Sequence, residues 1–112
     1  MLQVSLVVPT YREAENLEAL CDAIEVNLRR RKISYEIIIA DDHSPDNTIE
    51  VVESLSARYP VHLMQPLNRQ RDLSLAVLDG IGEAKSECVV VMDADLSHPT
   101  EKIPELLSLI HI

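Results

Sequence analysis

Glycine is almost missing from this chain: its 112 residues include only Gly80 and Gly82. That scarcity excludes the G-x-G-x-x-G turn of a dinucleotide fold and the Walker P-loop, so any phosphate must be held by side chains and a metal. Trp and Phe are absent and aromatics amount to 3% against 46% apolar residues. The core must therefore be aliphatic, a composition suited to layered α/β packing. Basic residues are in deficit, 10 Lys and Arg against 19 Asp and Glu. This argues against a nucleic-acid binder, whose affinity needs a basic footprint that displaces counterions. The same acidity opposes a phosphate-bearing ligand unless a divalent cation intervenes. The two cysteines, Cys21 and Cys88, show neither metal-ligand nor redox spacing and are expected as buried small hydrophobes. No basic region precedes the first apolar run, and Pro9 interrupts that run far short of a membrane span. A cytoplasmic chain with no signal peptide or transmembrane segment is expected.

What is present is a switch, repeated along the chain, between short continuous apolar runs and helical spacing, the pattern of strands and helices alternating around a parallel sheet. Strands are predicted at 4–8, 36–40, 61–64 and 88–92. Leu17, Leu20, Cys21, Ile24 and Leu28 define the apolar face of a first helix, with Asn16 as its expected cap and Arg29 to Lys32 at the negative end of its dipole. A second helix is predicted over 47–58 with Ile49, Val52, Leu55 and Tyr59 inward. The third carries Leu73, Ala76, Val77, Gly80 and Ile81 on one side. A fourth opens near Thr100 and continues through Ile103 and Leu106. The resulting β-α-β-α-β-α-β-α order predicts a right-handed doubly wound sheet with helices on both faces, its ligands gathered at the carboxyl ends of the strands. The end, Leu109-Ile110-His111-Ile112, lacks a cap or a terminal charge, so residues 1–112 are read as a partial domain cut short at the C-terminal side.

Three polar clusters follow three of the apolar strands: Pro9-Thr10-Tyr11-Arg12-Glu13, Asp41-Asp42-His43-Ser44 and Asp93-Ala94-Asp95. In a parallel sheet all three open on one edge. Asp93 and Asp95, two apart on extended backbone, point the same way, and their mutual repulsion calls for a hard cation such as Mg²⁺ or Mn²⁺ that accepts carboxylate and phosphate oxygens together. Alternation lets only one of Asp41 and Asp42 face the crevice, where a carboxylate could accept from the ring N–H groups of a nucleobase. Each cluster taken alone also has a plain explanation: strand-end acids in water, an acidic turn that helps to start a helix, solvated loop residues. His43, His62, His98 and His111 lack any supporting pattern and are expected to be incidental.

The stretches Val7-Val8-Pro9-Thr10-Tyr11-Arg12-Glu13-Ala14-Glu15-Asn16-Leu17, Tyr35-Glu36-Ile37-Ile38-Ile39-Ala40-Asp41-Asp42-His43-Ser44-Pro45-Asp46 and Val91-Met92-Asp93-Ala94-Asp95-Leu96-Ser97-His98-Pro99 resemble, in order and spacing, the dolichol-phosphate (polyprenyl-phosphate) mannosyltransferases of the family 2 glycosyltransferases. The resemblance implies the nucleotide-sugar-binding half of a GT-A, Rossmann-like fold, a donor that is typically GDP-mannose, and transfer with inversion to a polyprenyl or dolichyl phosphate at a membrane surface. It implies that Pro9, Tyr11 and Glu13 line the nucleotide pocket, that Ala40 and Asp42 contact the base, and that Asp93 and Ala94 meet the ribose and diphosphate. Asp95 becomes the principal metal ligand, Ser97 stands where some relatives place a second oxygen ligand, and Asp93 and Asp95 are the catalytic pair.

Several positions depart from the family pattern. His43 stands where relatives usually have Gly, and Asp72 and Ser74 replace glycines common before the third helix, so the loop bearing Arg69 and Arg71 is expected to approach the donor differently. Two other readings compete: a donor-binding fragment without turnover, and a receiver-like metal-binding signalling domain. The receiver pattern needs an acidic pair after the first strand and a lysine after the last; here Pro9-Thr10-Tyr11 follows the first strand, and no suitable lysine follows Asp95.

Overall fold

The computed structural model describes residues 2–65 and 72–94. Four parallel strands, β1 (Val4–Thr10), β2 (Tyr35–Asp41), β3 (Val61–Met64) and β4 (Val89–Val91), form one sheet in the order β3-β2-β1-β4. Helices α1 (Ala14–Arg29), α2 (Thr48–Leu55) and α3 (Leu73–Glu83) connect them in turn. The chain leaves β1 toward β2 and β3, then returns past β1 to β4. That reversal of strand order puts a crevice outside the carboxyl ends of β1 and β4.

β1 and β2 are buried along their whole length, as expected of central strands covered on both faces, and this explains their unbroken aliphatic runs. Alternation divides them. Leu6, Val8, Ile37 and Ile39 face a core shared with Leu17, Ile24 and Leu28 of α1 and Val52 and Leu55 of α2. Val7, Ile38 and Ala40 face the opposite way, against Ala76 of α3. Each fully buried aliphatic side chain contributes about 1.5–3 kcal/mol of transfer free energy. Cys21 and Cys88 are buried free thiols, as expected.

α3 comes unusually close to the sheet because Gly80 has no side chain. A Cβ placed there would lie 2.6 Å from Val7 Cγ1 and 3.3 Å from Ala40 Cβ.

The structure corrects three local expectations. Helix α1 begins at Ala14, not after Asn16, because Asp46 of the next loop accepts the Ala14 N–H at 3.3 Å and so caps the helix from a distant part of the chain. In α2, Thr48 is buried while Ile49 is 43% exposed. The Thr48 hydroxyl and N–H both donate to Asp46, which turns residue 48 inward. In α3, Ala76 and Gly80 are buried, but Leu73 and Ile81 are exposed, because the close approach at Gly80 centres the contact on the two small residues. The helix expected from Thr100 lies outside the described residues.

Candidate nucleotide site at the carboxyl edge

Pairing between β1 and β2 runs in register from Val4↔Tyr35 to Thr10↔Asp41. Both strands outlast their apolar runs because their last residues satisfy each other: the Thr10 hydroxyl donates to Asp41 Oδ1 at 2.7 Å, and Asp42 N–H donates to the Thr10 carbonyl at 2.9 Å. β4 pairs with β1 as far as Val7↔Val91, and Met92 N–H reaches the Val7 carbonyl at 3.1 Å. Asp93 therefore leaves the sheet at the level of Pro9.

Strand parity then sorts the strand-end residues. Val7 and Ala40 face α3, so Pro9, Ala40, Asp42 and Asp93 all belong to the α3 face of the sheet. Thr10 and Asp41 belong to the other face. The side chain of Asp42 turns to α3, where Oδ1 accepts the Asp72 N–H at 3.0 Å. Asp72 in turn caps α3 by accepting from Leu75 N–H at 3.2 Å. Ala40 is fully buried beneath Gly80. Asp93 is exposed, and Val91, on the same face of β4, is 41% exposed, so among the described residues nothing covers β4 beside α3.

Tyr11, Arg12 and Glu13 form the turn from β1 into α1. Tyr11 is half-buried, with the Arg12 guanidinium carbon 5.4 Å from its ring centroid. Glu13 Oε1 receives the Tyr11 N–H at 3.5 Å. Behind this turn, on the side away from α3, a cavity of about 460 Å³ is lined by Arg12, Ala14, Glu15, Pro45, Asp46 and Asn47. Burial pushes the Asp46 carboxyl up, but hydrogen bonds from the Thr48 hydroxyl and the Ala14 and Thr48 N–H groups outweigh it and hold the pKa below the ordinary 3.8. A second cavity of about 360 Å³, lined by Arg29, Lys32, Ile33, Ser34, Tyr35 and Pro60, lies at the opposite, amino edge, away from all the strand-end clusters.

Asp95, Ser97, Arg69 and Arg71 lie outside the described residues. Among the described residues, no group of three His, Cys, Asp or Glu side chains converges to hold a metal. Apart from the His43 imidazole, the described donors at this edge are carboxylates, hydroxyls and carbonyls, hard oxygens that suit Mg²⁺ or Mn²⁺ better than a soft metal.

The sequence patterns placed Thr10 and Ser44 in the polar clusters without linking them to Asp41 and did not single out Gln65; all three bond to Asp41.

A parallel sheet in the order β3-β2-β1-β4, with helices on both faces and acidic residues at its carboxyl edge, defines a doubly wound α/β fold of the kind shared by GT-A glycosyltransferases. The sequence profile of Glycosyl transferase family 2 matches residues 5–111, and the chain belongs to that family. It is 45% identical over 109 residues to a dolichol-phosphate mannosyltransferase of Pyrococcus furiosus, covering 97% of this chain and 30% of that protein. It is 37% identical to the dolichol-phosphate mannosyltransferase of Saccharomyces cerevisiae, covering 98% of this chain and 42% of that protein. Among solved structures, the mannosyltransferase PcManGT from Pyrobaculum calidifontis, in complex with GDP-Man and Mn²⁺, superposes with a TM-score of 0.74 at 26% identity, over 96% of this chain and 31% of that one. The chain thus spans less than half the length of these relatives.

Proposed function

We propose that this chain is the donor-binding part of a glycosyltransferase that takes a nucleotide sugar of the GDP-mannose type and transfers the sugar, with inversion, to a polyprenyl phosphate at a membrane surface. The observation that carries the reading is the gathering of Pro9, Asp42 and Asp93 on one face of the sheet, at the carboxyl ends of β2, β1 and β4. The relatives named dolichol-phosphate mannosyltransferase and the neighbour bound to GDP-Man and Mn²⁺ support it.

In this reading Tyr11 and Glu13 line the nucleotide pocket from the β1–α1 turn, Ala40 and Asp42 meet the base, and Asp93 and Ala94 meet the ribose and diphosphate. Asp42, whose Oδ1 accepts the Asp72 N–H, is held on the α3 face, where its carboxylate would meet a base N–H. Asp95 with Ser97 would hold Mg²⁺ or Mn²⁺, and Asp93 and Asp95 would form the catalytic pair. When bound, the cation supplies positive charge against the departing nucleoside diphosphate. The acceptor needs no dedicated base, since a phosphate monoester has its second pKa near about 6 and is largely ionised at neutral pH. Among the described residues no helix is long and apolar enough to cross a membrane.

Calorimetry with GDP-mannose and with UDP-glucose, each with and without Mn²⁺, tests the donor and the metal together. The expected result is metal-dependent binding that favours the guanosine donor. Tight binding that survives both chelation and Asp95→Ala would overturn the metal role.

A further inference from the structure

β1 and β2 are joined by the same polar device at both ends. At the amino edge, the Ser5 hydroxyl donates to Glu36 Oε2 at 2.6 Å, and that oxygen also accepts the Lys85 N–H at 2.8 Å. Ser5 Oγ accepts the Ser86 N–H at 3.1 Å. This rung fastens the turn between α3 and β4 and involves none of the strand-end residues of the candidate site. At the carboxyl edge, the equivalent rung is Thr10 to Asp41, and here the network extends further. Asp41, fully buried, also accepts the Ser44 hydroxyl at 2.6 Å on Oδ1, and the Ser44 N–H and the Gln65 side-chain amide at 2.8 Å each on Oδ2. Ser44 Oγ then accepts the Arg12 N–H at 2.9 Å. One carboxylate thus gathers β1, the β2–α2 loop and the end of β3, and reaches the β1–α1 turn through a hydroxyl.

The two residues at the ends of this relay have unfavourable backbone. Arg12 has φ 59° and His43 has φ 58°. Left-handed backbone is unfavourable for a non-glycine residue and persists where the surroundings hold it. What holds these two is visible: the Arg12 N–H is fixed on Ser44 Oγ, and His43 sits between Asp42 and Ser44, whose N–H is fixed on Asp41. Arg12 follows Tyr11, and His43 follows Asp42.

We infer that Asp41 is a positioning residue of the nucleotide site: through Ser44 it locks Arg12 and His43 in left-handed backbone and thereby sets where Tyr11 and Asp42 stand. This rests on the reading of the carboxyl edge as a nucleotide site. Asp41 lies on the opposite face of the sheet from Asp42 and Asp93, so it acts through the two loops and does not touch the nucleotide.

The test compares GDP binding in the presence of Mn²⁺, by calorimetry, for the wild-type chain, Asp41→Asn, Ser44→Ala, Ser44→Thr and Glu36→Gln, with thermal unfolding of each variant and measurements made well below its midpoint. Asp41→Asn and Ser44→Ala are expected to weaken GDP by about tenfold, the loss of a well-placed contact. Ser44→Thr, which keeps the hydroxyl, retains affinity within about threefold. Glu36→Gln lowers the melting temperature and leaves GDP affinity unchanged. Should Asp41→Asn fail to fold, the Ser44 pair decides alone. GDP binding by the wild-type chain together with unchanged affinity in Ser44→Ala, or equal weakening in Glu36→Gln, overturns the positioning role and leaves the nucleotide site standing. Absence of GDP binding by the wild-type chain overturns both.

Discussion

Gly80 of α3 lies so close to Val7 of β1 that a methyl group on it would meet Val7 Cγ1 at 2.6 Å. In an isolated helix, replacing glycine by alanine would stabilise by about 1 kcal/mol. Here Val7 is a buried, β-branched residue of a central strand, with little freedom to move aside. Gly80→Ala is therefore expected to destabilise by about 1–3 kcal/mol, the usual cost of overpacking. Gly82 has nothing within 4 Å of its added Cβ, so Gly82→Ala is expected to stabilise by about 0.5–1 kcal/mol. Urea unfolding of the two variants checks the opposite signs.

Asp46 gives the chain a specific acid sensitivity. Its carboxylate receives the Ala14 N–H, the Thr48 N–H and the Thr48 hydroxyl, and its pKa lies below 3.8 in the folded chain. The unfolded chain takes up that proton first as pH falls. The contribution is thus fully present above the unfolded value and is lost as pH drops through the folded one. Asp46→Asn is expected to lower stability at neutral pH and to flatten the acid limb of the stability profile below about pH 4. An unchanged acid limb in the variant would show that other carboxylates govern it.

Cys21 is protected in the native chain. Burial, with a smaller contribution from neighbouring Asp22, pushes its thiol from 9.0 up to about 12. The unfolded thiol ionises first as pH rises, so this group subtracts stability from about pH 9 upward, until the folded thiol ionises as well. Near pH 8 a thiol reagent is expected to label Cys21 only as fast as the chain opens, and mild denaturant should accelerate labelling in step with unfolding. Rapid labelling under native conditions would contradict the burial.

His43 has a φ of 58°, a backbone conformation that glycine adopts without steric cost. His43→Gly removes a left-handed strain of about 1–2 kcal/mol but adds about 0.5–1 kcal/mol of unfolded-chain entropy. A net gain of about 0–1.5 kcal/mol is expected in thermal unfolding. A clear loss would mean that the imidazole makes a stabilising contact.

Much of the fold was legible in the sequence because parallel strands covered on both faces must be continuous aliphatic runs. β3 was bounded correctly at Val61–Met64, and β1 and β2 were placed short at their ends, without Pro9 and Thr10 in β1 and without Tyr35 and Asp41 in β2. Thr10 and Asp41 could not be read as strand residues, since each is tolerable in the sheet only through the other, 31 positions away. The start of α1 was missed for a similar reason, because its first N–H is satisfied from 32 residues on, by Asp46. At the site, alternation established that Asp41 and Asp42 face opposite ways. It did not say which faced α3, nor that Asp41 would become the centre of a network with Ser44 and Gln65, because those contacts depend on tertiary placement.

A metal–nucleotide complex is expected to bind at the carboxyl edge, on the α3 face of the sheet. The most direct measurement is paramagnetic relaxation in the isotope-labelled chain on adding GDP with Mn²⁺. Amides of Tyr11, Asp42, Asp93 and Ala94 are expected to broaden strongly, while those of Gln3, Ser34 and Lys85 at the amino edge stay sharp. Broadening centred on the amino edge, around Arg29 and Lys32, or uniform weak broadening with no centre, would contradict the account.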